Sequence, residues 1–386
     1  MKKYSKTIKE LAILISPGIT DKNRAKDIVL SDDTEWTDII EFANKHLLIP
    51  TLYTALQYKH CFSLIKDELV KDYLETVYGY NEARNKAILK QLQRIANIFS
   101  EIGVKPILLK GAAALSEEYY NDIGARVMSD IDILVPEDKL FECVELLESK
   151  GGYKAIDTTR ELFSSHHWRR LYSEEGTAAL ELHFKSLYSN SYSYFPNEIL
   201  TEHLKPSKQI DNAMVIEPIF DLYHVFLHSE ISDHAYEDKA LALKNLHHGA
   251  MIISSLGQTI EWKELEEIIN LNNLTQKWGD YLYMQQALFQ VNIPSKFLKN
   301  SAYFDKVLFN IDKRNIISDI FREKFSYKVL QRKYRFKNKT GYIIAIIQHI
   351  SRSIFKLLFI SQVRKNFLNY ITKNKKVSKY GYHDPF

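Results

Sequence analysis

Cysteine is scarce in this sequence, which has only Cys61 and Cys143 among its 386 residues. The two residues lie far apart and no CxxC occurs, which excludes a disulfide framework and a thiolate zinc site and fits a reducing compartment. Glycine and proline are also few, at 13 and 9 residues, so collagen-like and low-complexity chains are excluded. A folded globular protein remains, and at ~100 to 200 residues per domain its length predicts two or three domains.

Long apolar runs are missing as well. The strongest candidate for a membrane span, residues 342–360, contains a histidine, an arginine and a lysine, and burying such charges in lipid is costly. The basic start of the chain is followed by a short apolar stretch that Lys9 and Glu10 interrupt, and it has no small-residue cleavage pattern. We therefore expect no span and no signal peptide, and a cytoplasmic location.

Negative charge is scarce at one end of the chain. Residues 313–386 contain eighteen lysines or arginines against three acidic residues, a charge of +15, which leaves −11 for residues 1–312. Such asymmetry suggests an anionic partner. An apolar stripe runs along one side of residues 343–357. It fits a helix packed on the body, an interfacial helix peripheral to the inner face of an anionic membrane, or a segment that binds RNA.

From Trp36 to Ile102 the sequence has a helical pattern. Its clearest part is a stripe at spacings of three and four, made of Ile88, Leu92, Ile95, Phe99 and Ile102. Gly103 follows and is a suitable residue to end the helix. Residues 1–102 are therefore predicted to form an N-terminal helical region.

Strands and helices alternate over the next hundred residues. Apolar runs predict strands at residues 104–109, 129–135 and 178–184, and helical stretches follow the first two. This alternation predicts an α/β unit at 103–205. Helical spacing returns from Glu217, which gives a helical domain at 206–312 and a basic, mostly helical C-terminal segment at 313–386.

Two aspartates stand in the second predicted strand. Asp130 and Asp132 are two residues apart, so the period of a strand points both carboxylates to the same side. Parallel carboxylates in an apolar strand repel each other unless a cation neutralises them, and Mg²⁺ prefers such oxygens together with substrate phosphates. Glu181, in the third predicted strand, supplies another carboxylate, with His183 on the same face.

Lys110 and Gly111 lie where the first predicted strand meets the following helix. Glycine permits close approach to the backbone, and the N-terminus of a helix offers N–H donors and a positive dipole. The junction is therefore predicted to bind phosphate.

The remaining histidines have less specific patterns. His224 and His228 are one helical turn apart, but apolar residues separate them and no catalytic glutamate accompanies them. We expect them to pack, with a place in the cleft as the alternative. His166 and His167 are expected in a hydrogen-bonded surface loop, again with the cleft as the alternative.

Three stretches of sequence, ILLKGAAAL, RVMSDIDILV and LELHFK, resemble the nucleotidyltransferase superfamily with a polymerase-beta-like palm. They resemble most closely its poorly characterised bacterial family with LKG, DIDILV and DLH-like motifs. The resemblance covers roughly residues 30–290. It implies an α+β fold, or α/β, in which a polymerase-beta-like palm is flanked by N-terminal and C-terminal helical regions.

The resemblance also implies an activity. A nucleoside monophosphate would pass from a triphosphate, with ATP expected, to a hydroxyl-bearing acceptor, and pyrophosphate would leave. Asp130, Asp132 and Glu181 would be catalytic and would hold two Mg²⁺ ions, with Mn²⁺ as the alternative. The nucleotide-binding residues implied are Lys110, Gly111, Ala112, Arg126, Ser129 and His183.

This sequence departs from the superfamily pattern at two points. Lys110-Gly111 replaces the usual Gly-Ser phosphate loop, and Glu181 stands where aspartate is common. The acceptor stays open among a small sugar or antibiotic, a lipid-linked or polysaccharide intermediate, a protein side chain and an RNA 3′ end. Two other functions are also left open, a catalytically silent nucleotide-binding regulator and a scaffold that binds membrane or RNA through 313–386.

Overall fold

The computed structural model describes residues 4–17, 21–155, 166–257, 262–298 and 302–312. Residues 1–313 form one compact unit, and 314–386 form a second. The second unit, and with it the basic C-terminal segment and its predicted apolar stripe, lies outside the described residues.

Helices make up the N-terminal region, as predicted. They are α1 (Tyr4–Ile15), α2 (Lys22–Leu30), α3 (Trp36–Lys45), α4 (Ile49–Tyr58) and α5 (Glu68–Ser100). The Asp67 side chain caps α5 by accepting hydrogen bonds from two backbone N–H groups of its first turn. The predicted stripe from Ile88 to Phe99 is buried. The helix ends at Ser100 rather than at Gly103, where the chain turns with a φ of +71°.

Seven strands form one mixed sheet. They are β1 (Ile107–Leu108), β2 (Asp130–Leu134), β3 (Tyr153–Ala155), β4 (Leu171–Ser173), β5 (Ala179–His183), β6 (Leu204–Pro206) and β7 (Met214–Ile216). Their order across the sheet is β3-β4-β5-β2-β1-β7-β6. The last two strands extend the sheet past residue 205, where the sequence pattern placed the end of the α/β unit.

The two strands with acidic residues are neighbours at the centre of the sheet. Strands β2 and β5 are parallel, and their register pairs Asp132 with Glu181. Strand β1 pairs antiparallel with β2 and parallel with β7. This arrangement brings together carboxylates that are about fifty residues apart in sequence.

Helices surround the sheet and fill the C-terminal half of the described chain. They are α6 (Lys110–Ser116), α7 (Leu140–Ser149), α8 (Asn197–Glu202), α9 (Pro218–Phe226), α10 (Ala235–Asp238), α11 (Leu243–Leu256), α12 (Trp262–Leu271), α13 (Thr275–Phe289) and α14 (Ala302–Asp312). A π-helical turn over residues 227–232 continues α9. The whole is an α+β fold in which helical regions flank a mixed sheet, as predicted. Among the described residues, no helix is long and apolar enough to cross a membrane.

The burial of Glu230, in the π-helical turn, predicts that the stability of the fold depends on pH. It is fully buried, accepts one hydrogen bond from Ser229, and burial raises its pKa to about 8. The carboxyl group therefore stabilises the fold below the unfolded pKa of about 4.3, and this contribution is lost as the pH rises towards 8. Glu230→Gln should match the wild type at pH 4 and be more stable at pH 8.5, by on the order of a few kcal/mol. Urea unfolding of both proteins at both pH values tests this, and an equal difference at the two pH values would contradict it.

Candidate functional site

Three carboxylates predicted from the sequence meet on one side of the sheet. Asp130 and Asp132 lie on β2, and Glu181 lies on β5 opposite Asp132. The Asp132 side chain is 7% exposed and that of Glu181 is 12%, whereas Asp130, at the start of β2, is 22% exposed. The cluster is therefore deep at Asp132 and opens towards solvent at Asp130.

Each of these carboxylates is paired with a basic side chain of the same chain. Lys110, at the start of α6, donates from Nζ to Asp132 Oδ1 at 2.6 Å. Arg170, which directly precedes β4, donates from Nε to Glu181 Oε1 at 3.0 Å and from Nη2 to Asp130 Oδ2 at 3.1 Å. A second contact joins Nη2 to Glu181. Two cations thus neutralise most of the charge of three acids.

The pairings affect the three acids differently. Burial acts to raise the pKa of Asp132, but Lys110 and His183 outweigh it and hold that pKa well below its usual range. Burial also opposes ionisation of Glu181, yet His167 and Arg170 lower its pKa. By contrast, burial and the neighbouring Asp132 raise the pKa of Asp130. Repulsion between the two aspartates is therefore least compensated at Asp130.

His183 lies within the carboxylate cluster. Its side chain is fully buried, and Nε2 donates to Asp132 Oδ1 at 2.9 Å. The ring is thus placed against Asp132.

Two other histidines adjoin the cluster. His166 is buried, and its ring centroid is 4.8 Å from that of His183. His167 Nε2 is 3.8 Å from Glu181 Oε2, and Trp168 N–H donates to Leu182 O. The expected surface loop is therefore instead an element packed on β5. His224, predicted to pack, is fully buried with Nε2 at 3.2 Å from Ser186 O.

The donor atoms of the cluster suit a divalent metal ion. One atom from each of Asp132, Glu181 and His183 lies within 4.8 Å of the others. Carboxylate oxygens suit Mg²⁺ and Mn²⁺, and an imidazole nitrogen adds a ligand type found for transition metals. Asp130, the third carboxylate of the predicted set, is adjacent.

Helix α5 holds the loop that leads into β2. Asn81 and Asn85 both donate to the backbone oxygen of Arg126, at 3.0 and 2.8 Å. Arg84 donates to the backbone oxygens of Met128 and Ser129. These side chains belong to the sequence NEARNKAILKQL, which lies within the range of the resemblance but outside its three motifs. Their contacts fix the position from which Asp130 and Asp132 emerge.

The predicted phosphate-binding turn begins α6. Lys110 has a φ of +50°, an unfavourable value for a residue with a side chain. A Cβ on Gly111 would come within 2.9 Å of Met128 Cγ, so glycine here accommodates Met128. The Ala112 N–H donates to Leu109 O at 3.0 Å, so this donor already has a hydrogen-bond partner within the first helical turn.

The other predicted nucleotide-binding residues occupy different surroundings. Ser129 Oγ donates to Asp130 Oδ1 at 2.7 Å and belongs to the cluster. Arg126 is buried, and its Nη1 donates to Tyr120 OH at 3.1 Å. It lines a cavity of about 380 Å³ formed by parts of the 114–126 segment together with Gln209. Arg126 therefore lies beside this cavity.

Sequence reasoning missed several basic residues near the cluster. Arg170, Arg84 and Lys244 belong to none of the matching motifs. Lys244 is in the first turn of α11, where burial and Arg126 lower its pKa to about 7 against the attraction of Asp130 and Asp132. In the sequence, a basic residue beside an apolar stretch is the only signal, and it does not distinguish a residue in the cleft from a solvated one.

The pairing of Lys110 with Asp132 leads to a prediction. Lys110→Ala should weaken triphosphate binding by about tenfold or more, because a cation beside the acids is lost. A tenfold loss corresponds to about 1.4 kcal/mol of binding free energy. The chain should stay folded, since Asp132 keeps its hydrogen bond from His183. Titration calorimetry with a triphosphate and Mg²⁺ measures the change, with Lys105→Ala, an exposed lysine before β1, as the control. Normal binding by a strongly destabilised Lys110→Ala would instead indicate a structural lysine.

Comparison with known proteins identifies a family for this chain. No curated protein and no solved structure matches the chain significantly. Residues 32–290, more than half of the chain, match a family model described as an uncharacterised nucleotidyltransferase. The matched region contains the three carboxylates, Lys110, Arg170 and all seven strands. The chain therefore belongs to this uncharacterised nucleotidyltransferase family.

Proposed function

We propose that this protein transfers a nucleoside monophosphate from a nucleoside triphosphate, with ATP expected, to a hydroxyl-bearing acceptor and releases pyrophosphate. The observation that carries the proposal is the pairing of Asp132 with Glu181 on adjacent parallel strands, with Asp130 two residues before Asp132. Side chains two apart on a strand share a face, so the three carboxylates serve one site.

The metal proposed for this site is Mg²⁺, with Mn²⁺ as the alternative. Asp130, Asp132 and Glu181 would hold two ions, and the position of His183 within 4.8 Å of the carboxylate donors adds a nitrogen ligand to the set. When bound, the ions would lower the pKa of the acceptor hydroxyl and neutralise charge on the phosphates.

The side chains of the protein have separate tasks in the proposed reaction. Lys110 and Arg170 place positive charge beside the carboxylates, where it would orient and neutralise the triphosphate. Glu181, whose carboxylate is held by Arg170, would accept the proton of the attacking hydroxyl. Arg84 and the two asparagines of α5 would hold the β2 loop in place.

The direct test is to incubate the protein with each α-labelled nucleoside triphosphate, Mg²⁺ and a cell extract, and to identify the labelled product. Transfer of label to an acceptor is expected. The Asp130→Asn, Asp132→Asn double variant is the control for transfer by other enzymes of the extract. Tight triphosphate binding without transfer under any of these conditions would favour the nucleotide-binding regulator.

The basic segment, residues 313–386, carries +15 and is proposed to act either as a helical cap on the body or as the binding region for a large anionic partner. Deletion from residue 313 separates the two. If the segment recruits a polyanion, the full chain should bind anionic vesicles or RNA with an affinity that falls steeply with salt, and the deletion should abolish this binding while sparing nucleotide-dependent stabilisation. If it is a cap, which we favour, the truncated protein should be insoluble or unstable. A soluble, stable truncation without vesicle or RNA binding would reject the cap.

A further inference from the structure

We infer that Arg170 is a triphosphate-binding residue that also serves as the counter-ion of the metal ligands, so that metal binds tightly only together with the nucleotide. This inference rests on the proposed function and adds to it the order in which the site is filled. It assigns a role to a residue outside the motifs that identify the family.

The first observation is where the guanidinium lies. Arg170 bridges two carboxylates of different strands, with Nη2 at 3.1 Å from Asp130 Oδ2 and Nε at 3.0 Å from Glu181 Oε1. Those oxygens belong to two residues of the proposed metal-binding set. A divalent ion and a guanidinium on the same oxygens repel each other, so the ion can take up these ligands fully only when Arg170 moves away.

The second observation is that the arginine has somewhere to move. Its side chain is 46% exposed, whereas those of Glu181 and Asp130 are 12% and 22% exposed. The carboxylates are therefore held by the sheet, and the guanidinium is the partner that can turn towards solvent. A planar guanidinium matches phosphate oxygens with two hydrogen bonds, as it matches a carboxylate. A bound triphosphate thus offers it a replacement for both lost partners.

The third observation is that Lys110 forms an ion pair with the remaining acid, Asp132. Its Nζ is 2.6 Å from Asp132 Oδ1, and its side chain is 21% exposed. With Lys110 and Arg170 in place, the ligand oxygens are already neutralised. Metal alone must displace cations that gain only hydration in exchange, whereas metal with a triphosphate gives both cations a new anion. Metal and nucleotide should therefore bind with positive coupling, which is reciprocal between the two ligands.

The test uses the full-length protein and Mn²⁺, whose binding is followed by electron paramagnetic resonance and calorimetry. Binding is measured with Mn²⁺ alone and with Mn²⁺ plus a non-hydrolysable α,β-methylene triphosphate. Arg170→Gln should bind Mn²⁺ alone more tightly and the Mn²⁺-triphosphate pair more weakly than the wild type. Each change is expected to be on the order of tenfold, within the usual range of coupling between sites.

The control is Arg94→Gln, which removes another arginine–glutamate pair, with Glu175, in which the arginine is 47% exposed. It should leave both affinities unchanged. Arg170→Lys keeps the charge but not the paired hydrogen bonds, so it should keep metal-alone binding weak and recover part of the triphosphate affinity. If Arg170→Gln does not fold, the same measurements on Arg170→Lys decide: a wild-type affinity for the Mn²⁺-triphosphate pair would overturn the inference, because lysine cannot make the paired hydrogen bonds.

Two results on Arg170→Gln would also overturn it. Unchanged affinity for Mn²⁺ alone would show that the arginine does not compete with the metal, and a parallel loss of both affinities in a folded variant would show that it only supports the site. These results are separate from the proposed transfer activity. A protein that transfers nucleotide while Arg170→Gln binds Mn²⁺ like the wild type would keep the function and reject the inference. The predicted shift in Mn²⁺ affinity without any transfer would keep the inference and reject the proposed function.

Discussion

Replacing both Asp130 and Asp132 by asparagine should lower nucleotide transfer by at least about 10³-fold, since even a single transition-state donor is worth about 10²–10³. Both carboxylates lie beside Glu181 on the face where metal and triphosphate are proposed to bind. Asparagine keeps the size of each side chain but removes the negative charge that holds a hard cation. The loss should therefore appear in both metal binding and turnover.

Thermal unfolding gives an independent measurement of this loss. At a ligand concentration about 100 times Kd, Mg²⁺ with triphosphate should stabilise the wild type by about 2.7 kcal/mol and the double variant by much less. Asp32→Asn with Asp33→Asn removes the same charge from an exposed turn and should retain the full stabilisation. An equal gain in the wild type and in the Asp130, Asp132 variant would show that the site is elsewhere.

The carboxylate part of the site was predictable from the sequence for a physical reason. A strand alternates its faces, so two aspartates separated by one apolar residue in SDIDILV had to share a side. The apolar residues between and after the aspartates identified a buried strand. Glu181 was likewise recognisable because LELHF has the same alternation, and the parallel pairing of β2 and β5 then places it opposite Asp132.

The basic partners of these acids were not predictable in the same way. Arg170 is eleven residues from Glu181 and forty from Asp130, and it reaches both because β4 folds back antiparallel on β5. Strands β4, β6 and β7 each have three residues, too few for alternation to be detected. The asparagines of α5 appeared to be ordinary polar residues of a helix, because their partners are backbone oxygens about forty residues away.

The same limit explains the placement of His183. Its position in LELHF correctly put it on the face of Glu181, but the sequence could not show how deep that face lies. The ring is fully buried against Asp132, so its contact in the structure is with a carboxylate. Depth depends on what covers the strand, here the His166–Trp168 element, and that packing is a property of the whole fold.

Glu181→Gln should separate binding from chemistry. Glutamine keeps an oxygen that can accept a hydrogen bond from Arg170, whose Nε lies 3.0 Å from Glu181 Oε1, but it can neither accept a proton nor carry charge. Turnover should fall by about 10²–10³-fold, as for loss of one preorganised catalytic group. Triphosphate affinity should change by only a small factor, because Lys110 and Arg170 both remain to bind the phosphates. Single-turnover rates and calorimetry measure the two effects separately.

Glu181→Asp distinguishes loss of charge from loss of reach. Aspartate retains the carboxylate on a shorter stem, so it should recover part of the turnover that glutamine loses. Glu175→Gln, at an exposed glutamate that pairs with Arg94, should behave like the wild type. If Glu181→Gln turns over at the wild-type rate, Glu181 has no part in the chemistry, and the two aspartates of β2 alone must hold the metal. If glutamine and aspartate are equally inactive, the length of the side chain matters as much as its charge. The register that sets Glu181 opposite Asp132 would then place the shorter carboxylate of aspartate too far from the metal.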